Sequence, residues 1–235
     1  MQNNLHNLAT LLYIDTAGEK AMVGMSKDAQ LIAYAENITA NTHASFVQVA
    51  IEKMVDESGI ALQALDAIVV TLGPGSYTGL RVGLASAKGI AYTLNKPLIG
   101  LSTLALLANH ASKNKIVMEA ENGMQIFSMI DAKRMEVFGA VYDLHQNNIL
   151  PEQAIILDTD YIKKLLQNGP LLCVGNGATK TKTLLSNAHL YFMESSYSIE
   201  NLVELAMVKW NEKQFENIAY SSPSYLKDFY QPPAK

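Results

Sequence analysis

The sequence predicts an α/β protein built of two similar halves, each a mixed β-sheet covered by helices. Three observations predict it. A short apolar strand ending in Ile-Asp occurs twice, at Ile14-Asp15 and at Ile130-Asp131, each followed after a similar interval by a second strand. A buried strand running into a glycine turn and then a helix also occurs twice, after Leu72 and after Leu171 to Val174. The chain has 235 residues, 49% of them hydrophobic and 17% charged, enough for one generous core or two modest ones.

Taken in order, Thr10 to Asp15, Ala21 to Met25 and Leu31 to Ala35 are short, apolar and bounded by turn residues such as Gly18 and Asp28, which predicts an antiparallel meander. Thr42 to Ser58 carries two apolar stripes at helical spacing, Phe46-Ala50-Met54 and Val47-Ile51-Val55, and Gly59 stops it. Asp66 to Leu72 is an almost continuous apolar run, as in a parallel strand buried on both faces. A glycine turn leads to a helix from about Gly79 to Tyr92. Leu98 to Gly100 is a short strand, and Ser102 caps a helix over Thr103 to Ala111. The polar stretch Ser112 to Gly123 is the expected boundary, giving halves 1–111 and 112–235. The pattern then restarts with strands Gln125 to Asp131 and Val137 to Tyr142. Leu171 to Val174 enters Gly175-Asn176-Gly177 and a helix, and Ile199 to Trp210 is a last helix suited to packing back on either half.

Composition narrows the function. The formal net charge is −4 with no basic run, and the Lys180 and Lys182 pair reads as ordinary helix surface, so the chain is not expected to grip nucleic acid alone. Cys173 is the only cysteine, which excludes an intrachain disulfide; its apolar neighbours make it a buried strand thiol. No segment has the roughly 18 apolar residues of a membrane span, and the polar start has no basic leader, so a cytoplasmic protein is expected.

Gly73-Pro74-Gly75-Ser76-Tyr77-Thr78-Gly79-Leu80-Arg81-Val82-Gly83 is the most informative segment. Gly75 permits backbone angles that side chains forbid, Pro74 rigidifies the turn, Ser76 or Thr78 can cap the helix that follows, and the helix start favours an anion. Two readings stay open: a phosphate site and a strand-to-helix turn. It is not a Walker loop, because no Gly-Lys-Ser/Thr closes it. Gly79, Gly83, Ala87 and Ala91 form a row of small residues on that helix. The row suits either close packing on the chain's own sheet or a subunit interface.

A duplicated α/β half that opens on a meander is the RNase H-like unit of the actin/hexokinase/Hsp70 (ASKHA) superfamily, whose nucleotide cleft lies between the halves. The equivalent carboxylates here are Asp15 and Asp131, suited by chemistry to a hydrated Mg²⁺ beside phosphates. Closer still, the chain resembles the TsaB (YeaZ) family. The resemblance is carried by Ile14-Asp15-Thr16-Ala17, His43, Leu65-Asp66-Ala67-Ile68, the whole Gly73-to-Gly83 run, Asn95-Lys96-Pro97 and Gly100-Leu101-Ser102-Thr103-Leu104. Further on, it rests on Ile130-Asp131-Ala132-Lys133-Arg134-Met135-Glu136-Val137, Val174-Gly175-Asn176-Gly177-Ala178 and Pro223-Ser224-Tyr225-Leu226-Lys227. Tyr77 stands where the family usually has Phe and Lys227 where it often has Arg, and residues 144–169 show little likeness.

The resemblance implies a non-catalytic subunit that associates with TsaD, and with TsaE, in threonylcarbamoyl transfer to adenosine of tRNA. It implies a homodimer when the chain is alone, and contact with tRNA only through the complex. TsaD-like enzymes hold a metal with His-x-x-x-His; here His43 is followed four residues on by Val47, so no metal site and no catalytic residue are expected. No tightly bound cofactor is expected, with ATP possible at the level of the complex. Asp15, Thr16, Asp131, Gly175 and Gly177 would then line a vestigial nucleotide cleft. The partner or dimer interface would be formed by Phe46, Val47, Ala50, Ile51 and Met54 with Gly79, Gly83, Ala87 and Ala91. The competing reading is an actin-like-fold phosphotransferase acting on a small metabolite. A peptidase lacks both His-Glu-x-x-His and Gly-x-Ser-x-Gly.

Overall fold

The computed structural model describes residues 8–38, 43–114, 123–193 and 196–227. The His43 side chain, Thr42 and most of the expected boundary stretch lie outside the described residues. The described residues form two five-stranded sheets. The first comprises β1 (Thr10–Asp15), β2 (Ala21–Lys27), β3 (Gln30–Asn37), β4 (Ala67–Gly73) and β5 (Leu98–Ser102), in the order β3-β2-β1-β4-β5. β1, β2 and β3 pair antiparallel, whereas β4 and β5 run parallel to β1.

The second sheet comprises β6 (Gln125–Asp131), β7 (Glu136–Tyr142), β8 (Asn148–Ile156), β9 (Leu171–Val174) and β10 (Leu190–Met193), in the order β10-β9-β6-β7-β8. Counted from its own first strand, that is the same order with the same antiparallel and parallel pairings. The duplication seen in the sequence is therefore one of topology. β8, β10 and the helix Thr159–Leu166 complete it in the region where the sequence carries little signal.

Helices α1 (His43–Ser58) and α2 (Tyr77–Leu94) cover one face of the first sheet. Alternation along β1 explains the layering: Leu12 and Ile14 meet Val47, Ala50, Ile51, Met54, Leu84, Ala87 and Ala91 on that face. Leu11 and Tyr13 point the other way, onto Ile199, Leu202, Val203 and Ala206 of α6 (Ile199–Asn211). Both faces of the parallel part are buried, which is why Ala67–Gly73 reads as a continuous apolar run. The caps are local. Ser76 Oγ accepts from Gly79 N at 3.3 Å and Asn95 closes α2 in the left-handed region (φ 53°). Ser102 Oγ accepts from Leu104 N and Ala105 N to start α3 (Thr103–Ser112).

In the second half, α4 (Thr159–Leu166) and α5 (Ala178–Leu184) lie with Phe127, Met129, Val137, Leu171 and Cys173 in one cluster. Burial pushes the Cys173 thiol up to about 12, so it stays protonated and behaves as a small apolar group.

The chain separates into two compact units, 1–106 with 197–223, and 107–196 with 224–235. The division falls inside α3 rather than at 111/112, because Leu106 belongs to the first-half core while Leu107 lies against Gly175 of the second. Helix α6 packs on the first half. Among the described residues, no helix is long and apolar enough to cross a membrane.

Candidate functional site

In the first half the predicted site forms where β1 ends against the glycine turn. Asp15 is fully buried. Its Oδ1 accepts from Ala17 N at 2.9 Å, closing a tight turn after the strand. The Tyr197 phenol lies beside Asp15 and Thr103; burial first, and then the Asp15 carboxylate, raise it well above its ordinary range. Tyr197 therefore lies beside the carboxylate that a cation or phosphate would need to reach.

The glycine turn is closed from the same side. Ser76 N donates to Ala17 O at 2.7 Å, and Thr16 Oγ1 donates to Gly79 O at 2.7 Å. A Cβ at Gly75 would fall on the Ala17 carbonyl oxygen, one at Gly79 on the Thr16 carbonyl oxygen, and one at Gly83 on Thr16 Oγ1. These glycines are thus explained by the close approach of β1's end to α2. Gly73 adds a positive φ of 113° at the exit of β4. Between the two readings left open by the sequence, the geometry is that of a strand-to-helix turn. Two of the amides near the helix start are taken by the chain itself: Ser76 N by Ala17 O, and Gly79 N by Ser76 Oγ. Thr78 is exposed and Ser76 is the cap.

The second half repeats the arrangement with charge instead of burial. Asp131 Oδ1 accepts from Lys133 N at 2.7 Å, the counterpart of the Asp15–Ala17 turn. The same oxygen is ion-paired with Lys180, whose ammonium also donates to Glu136 O at 2.8 Å. The Lys180 bond, helped by the Lys133 amide, holds the Asp131 carboxyl below the usual carboxylate range. Asn176 Oδ1 accepts from Asp131 N at 2.8 Å, and Gly177 N donates to Met129 O at 3.2 Å. Gly175 (φ 91°) passes so close to β6 that a Cβ would strike Met129 O.

Asp131 gives a pH prediction. A depressed carboxyl stabilises the fold above its unfolded pKa, and that contribution is lost as pH falls through the folded value. Lys180→Met is expected to return the Asp131 titration midpoint to the ordinary range, read by carboxyl-resolved NMR.

Two residues that matter here carried weak sequence signals or none. Lys180 reads as helix surface, yet it sits three residues beyond Gly177, on the first turn facing Asp131. Tyr197 has no local signal, since its role depends on α6 returning to the first half.

The predicted interface is corrected. Val47, Ala50, Ile51 and Met54 are buried, Phe46 partly so, and Gly79, Gly83, Ala87 and Ala91 are buried too, all facing their own sheet. The cause is geometric: strands β1, β2 and β4 offer an apolar face wide enough to consume both stripes of α1 and the small row of α2. Among the residues that α1 and α2 leave exposed are Val49, Ala85, Gly89 and Tyr92, with Gln48 Nε2 tied to Ser86 Oγ at 3.1 Å between the helices. Val47, four residues beyond His43, lies in the core, so that helix position offers no second metal ligand. Among the described residues, no three His, Cys, Asp or Glu side chains gather to hold a metal ion. A cavity of about 290 Å³ lies elsewhere, around Gln125, Asp143 and Ile149.

Comparison with known proteins agrees with this architecture. The sequence profile of TsaD, tRNA N6-adenosine threonylcarbamoyltransferase, matches residues 35–230. The tRNA threonylcarbamoyladenosine biosynthesis protein TsaB of Escherichia coli (strain K12) is 26% identical over 226 residues, covering 93% of this chain and 94% of that protein. Its Bacillus subtilis (strain 168) namesake is 28% identical over 187 residues, 76% of each chain. Among solved structures, YeaZ from Pseudomonas aeruginosa superposes with a TM-score of 0.76 at 24% identity, over 93% of this chain and all of that one. With the profile matched over well over half its length and the fold shared throughout, the chain belongs to the TsaD family, tRNA N6-adenosine threonylcarbamoyltransferase, and within it to the TsaB (YeaZ) group.

Proposed function

We propose that this chain is a non-catalytic subunit that associates with TsaD, and with TsaE, for threonylcarbamoyl transfer to adenosine of tRNA. The relatives named for tRNA threonylcarbamoyladenosine biosynthesis support the pathway. One observation carries the non-catalytic part: each strand-end carboxylate is engaged within its own half, Asp15 by Ala17 N with Tyr197 beside it, Asp131 by Lys133 N and Lys180. A phosphotransferase would hold such groups open toward a hydrated cation. The chain on this reading binds no cofactor tightly, and ATP is used by the assembled complex in the cytoplasm.

The partner surface is the exposed flank of α1 and α2, centred on Val49, Ala85, Gly89 and Tyr92. Val49 is 63% and Tyr92 79% exposed, and no atom lies within 4 Å of a Cβ built on Gly89. A glycine in an exposed helix interior weakens the helix by roughly 0.5–1 kcal/mol relative to Ala, a cost that close approach by a partner backbone would justify. The isolated chain would pair with a second copy through the same flank.

The test is co-purification with TsaD from the same cell, read by gel filtration with light scattering. A stable one-to-one complex and no ATP turnover by the pure chain are expected. Absence of a complex at micromolar concentration, together with ATP hydrolysis that Asp15→Asn abolishes, would replace this reading with the phosphotransferase.

A further inference from the structure

The hairpin joining β6 to β7 is the most unusual surface feature of the second half. Lys133 and Arg134 occupy consecutive left-handed positions, φ 69° and φ 48°. Left-handed positions favour Gly, Asn and Asp, because a larger side chain at these angles crowds its own backbone. Two long cationic residues here run against local preference, and non-glycine residues held in this region concentrate at functional sites.

The backbone of the turn is fixed from several directions. Asp131 Oδ1 holds Lys133 N, Glu136 N donates to Lys133 O at 3.1 Å, and Ala132 N donates to Glu136 O at 3.1 Å. From the neighbouring strand's end, Leu157 N donates to Met135 O at 2.7 Å.

Charge makes the point stronger. As a sequence, Asp131-Ala132-Lys133-Arg134-Met135-Glu136 is balanced, two acids against two bases. The fold unbalances it. Lys180 pairs with Asp131, and Lys227 pairs with Glu136 at 2.5 Å. Both carboxylates are therefore neutralised from elsewhere in the chain, while Lys133 and Arg134 are exposed and no ion pair among the described residues holds either side chain. A protein of formal net charge −4 thus presents a rigid tip with two uncompensated cations.

We propose that this tip is a phosphate-backbone contact for RNA, the point at which this subunit touches the tRNA in the assembled complex. The proposal rests on the scaffold reading above for the identity of the RNA. Two cations held at fixed spacing suit adjacent phosphates, contribute affinity without reading bases, and make binding salt-dependent.

The test pairs stability with binding. Lys133→Asn/Arg134→Gly gives the turn the residues it prefers, so the variant chain is expected to melt at the same or a higher temperature than the wild type. In complex with TsaD, it is expected to bind fluorescently labelled unmodified tRNA roughly ten-fold more weakly at low salt, with the log–log salt slope flattened by about 1 to 2. Equal affinity and equal slope in a normally assembled complex would overturn the proposal. So would a variant that loses TsaD while any tRNA binding by the chain is unchanged, because the tip would then be a protein contact. If the wild-type chain forms no complex, the scaffold reading fails separately. The same salt slopes are then measured on the isolated chain, where a difference between wild type and variant supports the RNA contact and no difference overturns it.

Discussion

Gly79→Ala is expected to lower the melting temperature by roughly 5–10 °C, while Gly89→Ala, ten residues along the same helix, is expected to raise it by about 2–3 °C. A methyl at Gly79 would lie on the Thr16 carbonyl oxygen, which is backbone and cannot swing aside. Relief would require β1's end and the start of α2 to separate, breaking the bond from Thr16 Oγ1 to Gly79 O. Overpacking of this kind costs about 1–3 kcal/mol, and more where backbone must move. For a chain of this length 1 kcal/mol corresponds to roughly 2–4 °C. At Gly89 the added methyl meets nothing within 4 Å, so only the helix-propensity gain remains. Differential scanning calorimetry on the two variants checks both signs. Two shifts of the same sign would mean that the Thr16–Gly79 approach is looser than the structure has it.

The second large effect separates core from surface on α2. Ala87→Glu is expected to abolish folding, and Ala85→Glu to leave the fold intact while removing the association with TsaD and with a second copy. Ala87 is fully buried among Leu84, Ala91 and the β1 side chains Leu12 and Ile14, with no partner for a carboxylate. An unpaired charge there costs several kcal/mol, comparable to the whole stability of a domain. Ala85 lies on the exposed side of the helix, two residues along in sequence and on the opposite face. Circular dichroism reports folding, and gel filtration with light scattering reports association. A folded Ala87→Glu variant would contradict the core packing. A folded Ala85→Glu variant that still assembles would move the interface off this flank.

The two alanines also mark where sequence reasoning stopped. Periodicity identifies α1 and α2 as helices with apolar and small stripes, but a stripe of small residues fits a sheet and a partner equally well. Only the width of the apolar face formed by β1, β2 and β4 shows that the sheet takes all of it. Asp15 is a similar case. The sequence places a carboxylate at a strand end, yet the residue beside it, Tyr197, is 182 positions away. No local pattern links them.

By itself the sequence determined the local elements and their repetition. The order of apolar runs, glycine turns and caps fixed β1 to β7 and β9, the helices α1 to α3, α5 and α6, and the presence of two similar halves. Hydrophobic period and backbone permissiveness are local properties, so they can be read without a fold. The absence of a His-x-x-x-His pair and of disulfides was equally legible, because a missing residue type is missing whatever the fold. Tertiary structure alone decided the rest. It gave β8 and β10 their places in a weakly patterned stretch, and spent the apolar stripes of α1 and α2 on the core. It also paired Asp131 and Glu136 with lysines 49 and 91 residues away, leaving Lys133 and Arg134 unbalanced. Burial and charge compensation are set by what comes to lie beside a side chain in space, and chain order does not contain that.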